Sequence, residues 1–403
     1  MIDAILVLNA GSSSIKFALY PAAQADETAL VSGKIENISG NPDFMAHDAK
    51  GNSLAEDGLE ALKKGASHET FVGQLLEWLS HHHRGMKIAA VGHRVVHGGR
   101  LFGGPAIITE EVLVRLQELG SLAPLHQPHN LSAIRAVAAW APDLLQVACF
   151  DTSFHRTLSR LAQLFALPRK LSDDGIIKYG FHGLSYEYIA GVLPKHLGAH
   201  ASGRVVIAHL GNGASMCAMK NRRSVATTMG FTALDGLMMG RRCGTLDAGV
   251  VLHLIQNMQM APQDVLHILY QEAGLLGVSG ISNNMHVLQE SNDPNAQEAI
   301  DLFCYRAACE LCALIVPLEG LDAIVFTAGI GENSSIVRQK ICARLGWIGV
   351  EIDETANKEN ATRINAPASN VDVMVIPTDE EAVIARSVQN LIGMAVDDGQ
   401  TAQ

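Results

Sequence analysis

One pattern, written three times, most constrains how this chain folds: an apolar strand that runs straight into a turn of Gly, Asn and Ser. It appears at Ile5–Ser14, Val205–Ser215 and Ala323–Ser335. The first two copies lie about half a chain apart, and Leu8-Asn9-Ala10-Gly11-Ser12 is similar to Leu210-Gly211-Asn212-Gly213-Ala214. This spacing predicts an internal duplication with two similar α/β halves, each presenting a Gly-rich turn to a shared cleft. Such a turn offers backbone N–H groups, hydroxyls and, in the first copy, Lys16, all suited to an anion with several oxygens.

Strands expected at 89–96, 145–150, 205–210, 323–327 and 371–376 alternate with helical patterns, which points to mixed α/β layers. Apolar spacing predicts helices at 110–119, 261–273 and 295–316. Another is expected at 129–139, starting after Pro128 with Asn130 as its cap.

A chain of 403 residues calls for more than one core. The reading places the boundaries at 1–152 plus 380–403 and at 153–379. A net charge of −11 argues against non-specific nucleic-acid binding. No apolar run reaches membrane-spanning length, and the first residues lack a signal-peptide pattern. Together with seven cysteines, this predicts reduced thiols and a cytoplasmic setting. Cys304, Cys309 and Cys312 have a spacing similar to some iron–sulfur ligands, but they fall within a helical pattern and lack a fourth partner, so core packing is expected. The run His81-His82-His83 reads as a solvated helix end.

The motifs exclude two familiar phosphate binders. There is no G-x-x-x-x-G-K-[ST], and no G-x-G-x-x-G opens a helix after the first strand. The turn at Asn9–Ser14 sits between two strands instead, as in the phosphate hairpin of the actin-like ATPase and sugar-kinase superfamily. Six further motifs follow in order: Gly92-His93-Arg94-Val95-Val96-His97-Gly98-Gly99, Ala123-Pro124-Leu125-His126, Phe150-Asp151-Thr152-Ser153-Phe154-His155, Lys178-Tyr179-Gly180-Phe181-His182-Gly183, Ala208-His209-Leu210-Gly211-Asn212-Gly213 and Phe326-Thr327-Ala328-Gly329-Ile330-Gly331-Glu332-Asn333. In this order and spacing the chain, from Asn9 to about Arg386, resembles the acetokinase family.

The resemblance implies two duplicated ribonuclease H-like domains and reversible, Mg²⁺-dependent phosphoryl transfer from ATP to acetate, giving acetyl phosphate and ADP. It implies a homodimer with small-molecule substrates only. It assigns Arg94 to the substrate carboxylate, Arg242 and His182 to the transferring phosphoryl group, and Asp151 to orienting Arg94 or helping to hold the metal. Asn9 and Glu380 match the metal-site residues. Ser12 and Lys16 assist at the phosphates, while His209, Leu210, Gly211, Asn212 and Gly213 cradle them. Gly329, Ile330, Gly331, Glu332 and Asn333 flank the adenosine. Val96, Leu125, Phe181 and Ala233 line the acyl pocket.

Three positions depart from the family pattern. Arg241 replaces the usual threonine. Asn284-Met285-His286 stands where relatives carry Asp and Arg near the adenine and ribose, so nucleotide preference is open. Ala233 replaces the usual proline, which leaves room for propionate. The alternatives are a propionate- or butyrate-directed member of the same family and, in another class, an ATP-driven conformational switch of the actin or chaperone type.

Overall fold

The computed structural model describes residues 2–11, 14–23, 28–38, 40–54, 59, 65–82, 85–124 and 126–400, with the side chains of 394–400 excepted. Ser12, Leu125 and His83, singled out above, lie outside the described residues. The chain divides into two compact units, Met1–Phe154 with Asp379–Gln403, and His155–Thr378.

In the first unit the described strands are β1 (Ile2–Ala10), β2 (Ile15–Pro21), β3 (Val31–Glu36), β4 (Asp43–Asp48), β5 (Met86–Val95), β6 (Ala106–Ile107) and β7 (Leu145–Phe150). They form one sheet in the order β4-β3-β2-β1-β5-β7-β6. β1 to β4 form an antiparallel meander; β5 pairs parallel with β1, and β7 parallel with β5. The unbroken apolar run Ala4–Leu8 follows from this central position, since the strand is covered on both faces. On one face the helix His68–His82 buries Phe71, Leu75 and Trp78 against the sheet, with Trp78 edge-on to Phe44 at 5.0 Å.

The C-terminal helix Glu380–Gln400 packs onto β1 and β5. Gly92 makes this possible: a Cβ there would lie 2.4 Å from Ile384 Cγ2 and 2.8 Å from Val388 Cγ2. Side chains two apart on a strand share a face, so Arg94 projects on the side of Gly92. Glu380 stands one helical turn before Ile384, and the close approach at Gly92 thereby sets Glu380 beside Arg94.

The second unit repeats the plan. β8 (Arg204–Leu210), β9 (Ala214–Lys220), β10 (Arg223–Thr227), β11 (Ala323–Thr327) and β12 (Asp372–Val375) have the order β10-β9-β8-β11-β12, with β11 parallel to both β8 and β12. This matches β3-β2-β1-β5-β7 strand for strand and direction for direction. The duplication read from the turns is therefore a duplication of topology. The helix Pro294–Leu318 lies against this sheet. Within it Cys304 is buried, Cys312 half-buried and Cys309 exposed.

Two helices differ from expectation. The one expected at 129–139 runs Gln127–Trp140, with Pro128 inside its first turn. Asn130 is no cap: it is buried, accepts from Val96 N at 3.0 Å and donates to Ala10 O at 2.8 Å, tying the ends of β1 and β5 together. The one expected at 261–273 ends as an α-helix at His267 and continues as a π-helical turn, Ile268–Glu272. His81 and His82 do close a helix, and each ring stands over a carbonyl one turn back.

Candidate active site

The first unit gathers its charged residues at the carboxyl ends of adjacent parallel strands, where α/β sheets place ligands. Arg94 sits near the end of β5 and Asp151 directly follows β7. Arg94 donates from Nε to Asp151 Oδ1 at 2.9 Å and from Nη2 to Oδ2 at 2.6 Å, a bidentate fork. Its Nη1 donates to Asn9 Oδ1 at 3.2 Å and stands 3.8 Å from Glu380 Oε2. Asn9 Nδ2 faces Glu381 Oε1 at 3.5 Å. Lys16 is directly across the hairpin from Asn9, and on neighbouring strands such partners share a face.

Burial opposes charge on Arg94, but Asp151 and Glu380 outweigh it and hold the guanidinium above its ordinary value. Glu380 responds the other way. Burial pushes its carboxyl up to about 7, Arg94 and Lys16 pull it down, and Asp151 and Glu381 add to the rise. Three carboxylates thus crowd two cations. His93, on the opposite face of β5, meets Gln146 Oε1 at 2.8 Å, and burial lowers its pKa to about 4. His97 is likewise lowered to about 4 by burial and accepts from Gly99 N. Both are neutral core imidazoles. Val96 is buried at the end of this strand region.

The second unit builds its counterpart on the hairpin between β8 and β9. Gly211 N donates to Gly213 O at 3.1 Å, closing the turn. Gly240 N donates to Asn212 O at 3.1 Å, and a Cβ at Gly240 would collide with Asn212 Oδ1. The loop carrying Arg242 is thereby held against the turn. A Cβ on Gly213 would lie 2.7 Å from Arg242 Nη2 and 3.4 Å from His182 Nε2, so both side chains converge on the space that this glycine leaves open. Arg242 Nη1 donates to Ala233 O at 2.5 Å, and Ala233 is half-buried. Arg241 is exposed.

His182 has a left-handed backbone, φ 57°, at the start of the helix Gly183–Leu197. A non-glycine residue there costs ~1–2 kcal/mol. His155 helps to hold it: its Nε2 lies 3.0 Å from Phe181 O, its Nδ1 lies 2.8 Å from Ser224 Oγ, and its ring fills the space beside Gly180. Phe181 itself is buried. The His182 and His209 rings stack with centroids 4.3 Å apart.

Beside this turn lies a pocket of about 310 Å³. Of the residues expected at the nucleotide, Gly211, Asn212, Asn284, Met285, His286, Gly329, Ile330 and Asn333 line it. Sequence reasoning missed Asn283, Gln289 and Ser334, which join them. Asn283 Nδ2 donates to Asn212 Oδ1 at 3.2 Å, and Gln289 Nε2 donates to Ser334 Oγ at 2.6 Å. No local motif marks Asn283 or Gln289, whereas Ser334 lies in the third strand–turn pattern, Ala323–Ser335. Asn284 caps the following short helix through His286 N, and His286 pairs with Glu290 at 3.3 Å. Glu332 turns inward instead of lining the pocket: its carboxylate accepts from Ala328 N at 2.7 Å and Thr378 N at 3.3 Å. Gly331 is buried beneath. Arg338, fully buried, donates to Gly331 O and Glu332 O at 2.9 Å and to Asn357, fixing this segment from behind.

A sheet of this topology built twice, with a phosphate-type hairpin in each copy, defines a chain of the actin-like ATPase fold. The model of the acetokinase family matches residues 4–386, and the chain belongs to that family. An acetate kinase of Rhodopseudomonas palustris (strain TIE-1) is 53% identical over 397 residues, covering 97% of this chain and 99% of the relative. The crystal structure of a propionate kinase from Francisella tularensis subsp. tularensis SCHU S4 superposes with a TM-score of 0.88 at 35% identity, covering 96% of this chain and 99% of that one. The Porphyromonas gingivalis acetate kinase gives 0.85 at 32%, covering 97% and 100%.

Proposed function

We propose that the protein transfers the γ-phosphoryl group of ATP to acetate, reversibly, giving acetyl phosphate and ADP. The observation that carries this is Arg94, a guanidinium forked onto Asp151 beside the phosphate-type hairpin. Acetate is already ionised at neutral pH and needs no general base. One carboxylate oxygen attacks phosphorus, the bond to the β,γ-bridging oxygen breaks, and ADP departs with that electron pair. The protein's task is positioning and charge neutralisation. Arg94 holds the carboxylate, Arg242 and His182 meet the phosphoryl oxygens, and Asp151 holds Arg94 in place without acting as a base. The hairpin residues Gly211, Asn212 and Gly213 seat the phosphates, and the neighbouring pocket takes the nucleoside. Water has to be kept from the reacting groups, because it would otherwise divert the phosphoryl group to hydrolysis.

Mg²⁺ fits the first unit's chemistry. Among the described residues no group of three His, Cys, Asp or Glu forms a protein cage, and Mg²⁺ on phosphates needs only one or two protein oxygens. The carboxylate excess around Glu380 accommodates a cation there. Asn9 and Glu380 would hold it, and it would neutralise charge on the nucleotide phosphates.

A second reading, propionate as the preferred acceptor, draws on Ala233, whose small side chain sits at the Arg242 contact. Hydroxylamine trapping of acyl phosphate, with acetate, propionate and butyrate at equal concentrations, decides between them. Acetate is expected to give the highest kcat/KM. A more than tenfold preference for propionate overturns the acetate assignment, and no product from any acid overturns the reaction.

A further inference from the structure

The first turn of the helix Gly183–Leu197 does more than support a backbone. It supplies Ser185 and Tyr186, both fully buried, to the two stacked imidazoles. His182 Nδ1 lies 2.8 Å from Ser215 Oγ, and Tyr186 OH lies 2.5 Å from the same Ser215 oxygen. His209 Nδ1 lies 2.8 Å from Ser185 Oγ. Both rings therefore spend Nδ1 on a buried hydroxyl. Both turn Nε2 towards the second glycine turn: Nε2 of His182 is 3.4 Å from the Cβ position of Gly213, and Nε2 of His209 is 3.9 Å from that of Gly211.

Hydrogen-bond direction then selects one tautomer of the neutral ring. A neutral imidazole has one donor and one acceptor nitrogen, and its neighbours decide which is which. Phenol is more acidic than a serine hydroxyl, so Tyr186 donates to Ser215, and Ser215 passes its own proton to an acceptor. That acceptor is Nδ1 of His182, which leaves the hydrogen on Nε2. We infer that Ser215, backed by Tyr186, is a positioning pair that fixes His182 in its Nε2–H tautomer, so that the ring enters the turn as a preset donor beside Arg242.

The role of that donor rests on the phosphoryl-transfer reading above: a hydrogen bond aimed at developing charge is effective because its orientation is set in advance. Loss of Ser215 or Tyr186 leaves the ring in place but lets the two tautomers mix.

The test combines a spectrum with kinetics. Long-range ¹H–¹⁵N correlation on protein carrying ¹⁵N-histidine, at pH 7.5 without ligands, reports the tautomer of each ring; His182→Gln identifies its signals. Wild-type protein is expected to show Nε2 protonated and Nδ1 bare. Ser215→Ala and Tyr186→Phe, the latter keeping the ring volume, are expected to shift His182 towards a mixture. Their kcat should fall about 10- to 100-fold, less than the ~10²–10³-fold lost when such a donor is removed outright, with KM for ATP and acetate within about twofold. Ser215→Thr, which keeps the hydroxyl, should restore kcat to within about threefold. An Nδ1–H or doubly protonated His182 in wild-type protein overturns the inference, as does an unchanged kcat in both variants. A wild-type protein that phosphorylated no carboxylate would sink the reaction and not the tautomer, because the spectrum is read on the free protein.

Discussion

The contact between Gly92 and the C-terminal helix permits a quantitative prediction. In Gly92→Ala the new methyl would sit 2.4 Å from Ile384 Cγ2 and 2.8 Å from Val388 Cγ2. Ordinary carbon–carbon contact is ~3.5–4.0 Å, so the helix must retreat by ~1 Å. Overpacking of this kind costs ~1–3 kcal/mol, which for a unit of this size lowers Tm by roughly 2–10 °C. The helix begins at Glu380, 3.8 Å from Arg94, so the same retreat opens the cluster of Glu380, Asn9 and Arg94. A displacement of ~1 Å in positioning groups costs up to ~100-fold in rate. Acyl hydroxamate formation at saturating ATP and acetate, paired with thermal melting, measures both. Ile384→Ala in the Gly92→Ala background removes the clashing methyl and should recover at least part of kcat, even though Ile384→Ala alone loses stability. Activity within twofold of wild type with an unchanged Tm would refute the idea that this glycine sets the position of Glu380. An inactive double variant that melts like the single one would refute it too.

The remaining predictions follow from the charge cluster and the second turn. Arg94→Ala should raise KM for acetate far more than KM for ATP, and by leaving Asp151 and Glu380 without their cation it should cost ~3–5 kcal/mol of stability; equal effects on the two KM values contradict its carboxylate role. Arg242→Ala should act chiefly on kcat, by ~10³-fold or more, and a single-turnover rate like wild type removes it from the phosphoryl site. Glu380, at about 7 in place of 4.5, holds its proton more tightly folded than unfolded. The stability it contributes is therefore complete below about pH 4.5 and lost as pH rises through about 7. With Mg²⁺ at Glu380 as proposed, binding displaces that proton, so apparent Mg²⁺ affinity should rise up to ~10-fold per pH unit below 7 and level off above it, as calorimetry with Mg·ADP would show. Glu380→Gln should abolish that slope, and a slope that survives contradicts the assignment.

Much of this architecture was legible because strand–turn chemistry is local. The run Ile5–Leu8 announces a doubly covered strand, and Gly211-Asn212-Gly213 announces a tight hairpin, whatever surrounds them. Duplication followed from comparing the two turns, and the sheet order repeats accordingly. Long-range packing was not legible. Nothing near Gly92 in sequence names Ile384, 292 positions away, and nothing near His182 names Ser215. Asn130 has the chemistry of a helix cap, yet tertiary contacts to Val96 and Ala10 claim its amide. Glu332 stands in a glycine-rich turn and reads as a ligand contact, whereas its carboxylate serves the backbone of its own helix and of Thr378. The neutral amides of Asn283 and Gln289 carry no motif, so only the pocket reveals them.

The central claim is that Arg94 holds the acceptor carboxylate and Arg242 meets the transferring phosphoryl group. A crystal structure with ADP, Mg²⁺, acetate and a planar phosphoryl mimic tests it most directly. The account predicts Arg94 within hydrogen-bond distance of the acetate carboxylate and Arg242, with His182 Nε2, on the mimic's oxygens. Acetate bound away from Arg94, or a mimic that Arg242 does not touch, would contradict it.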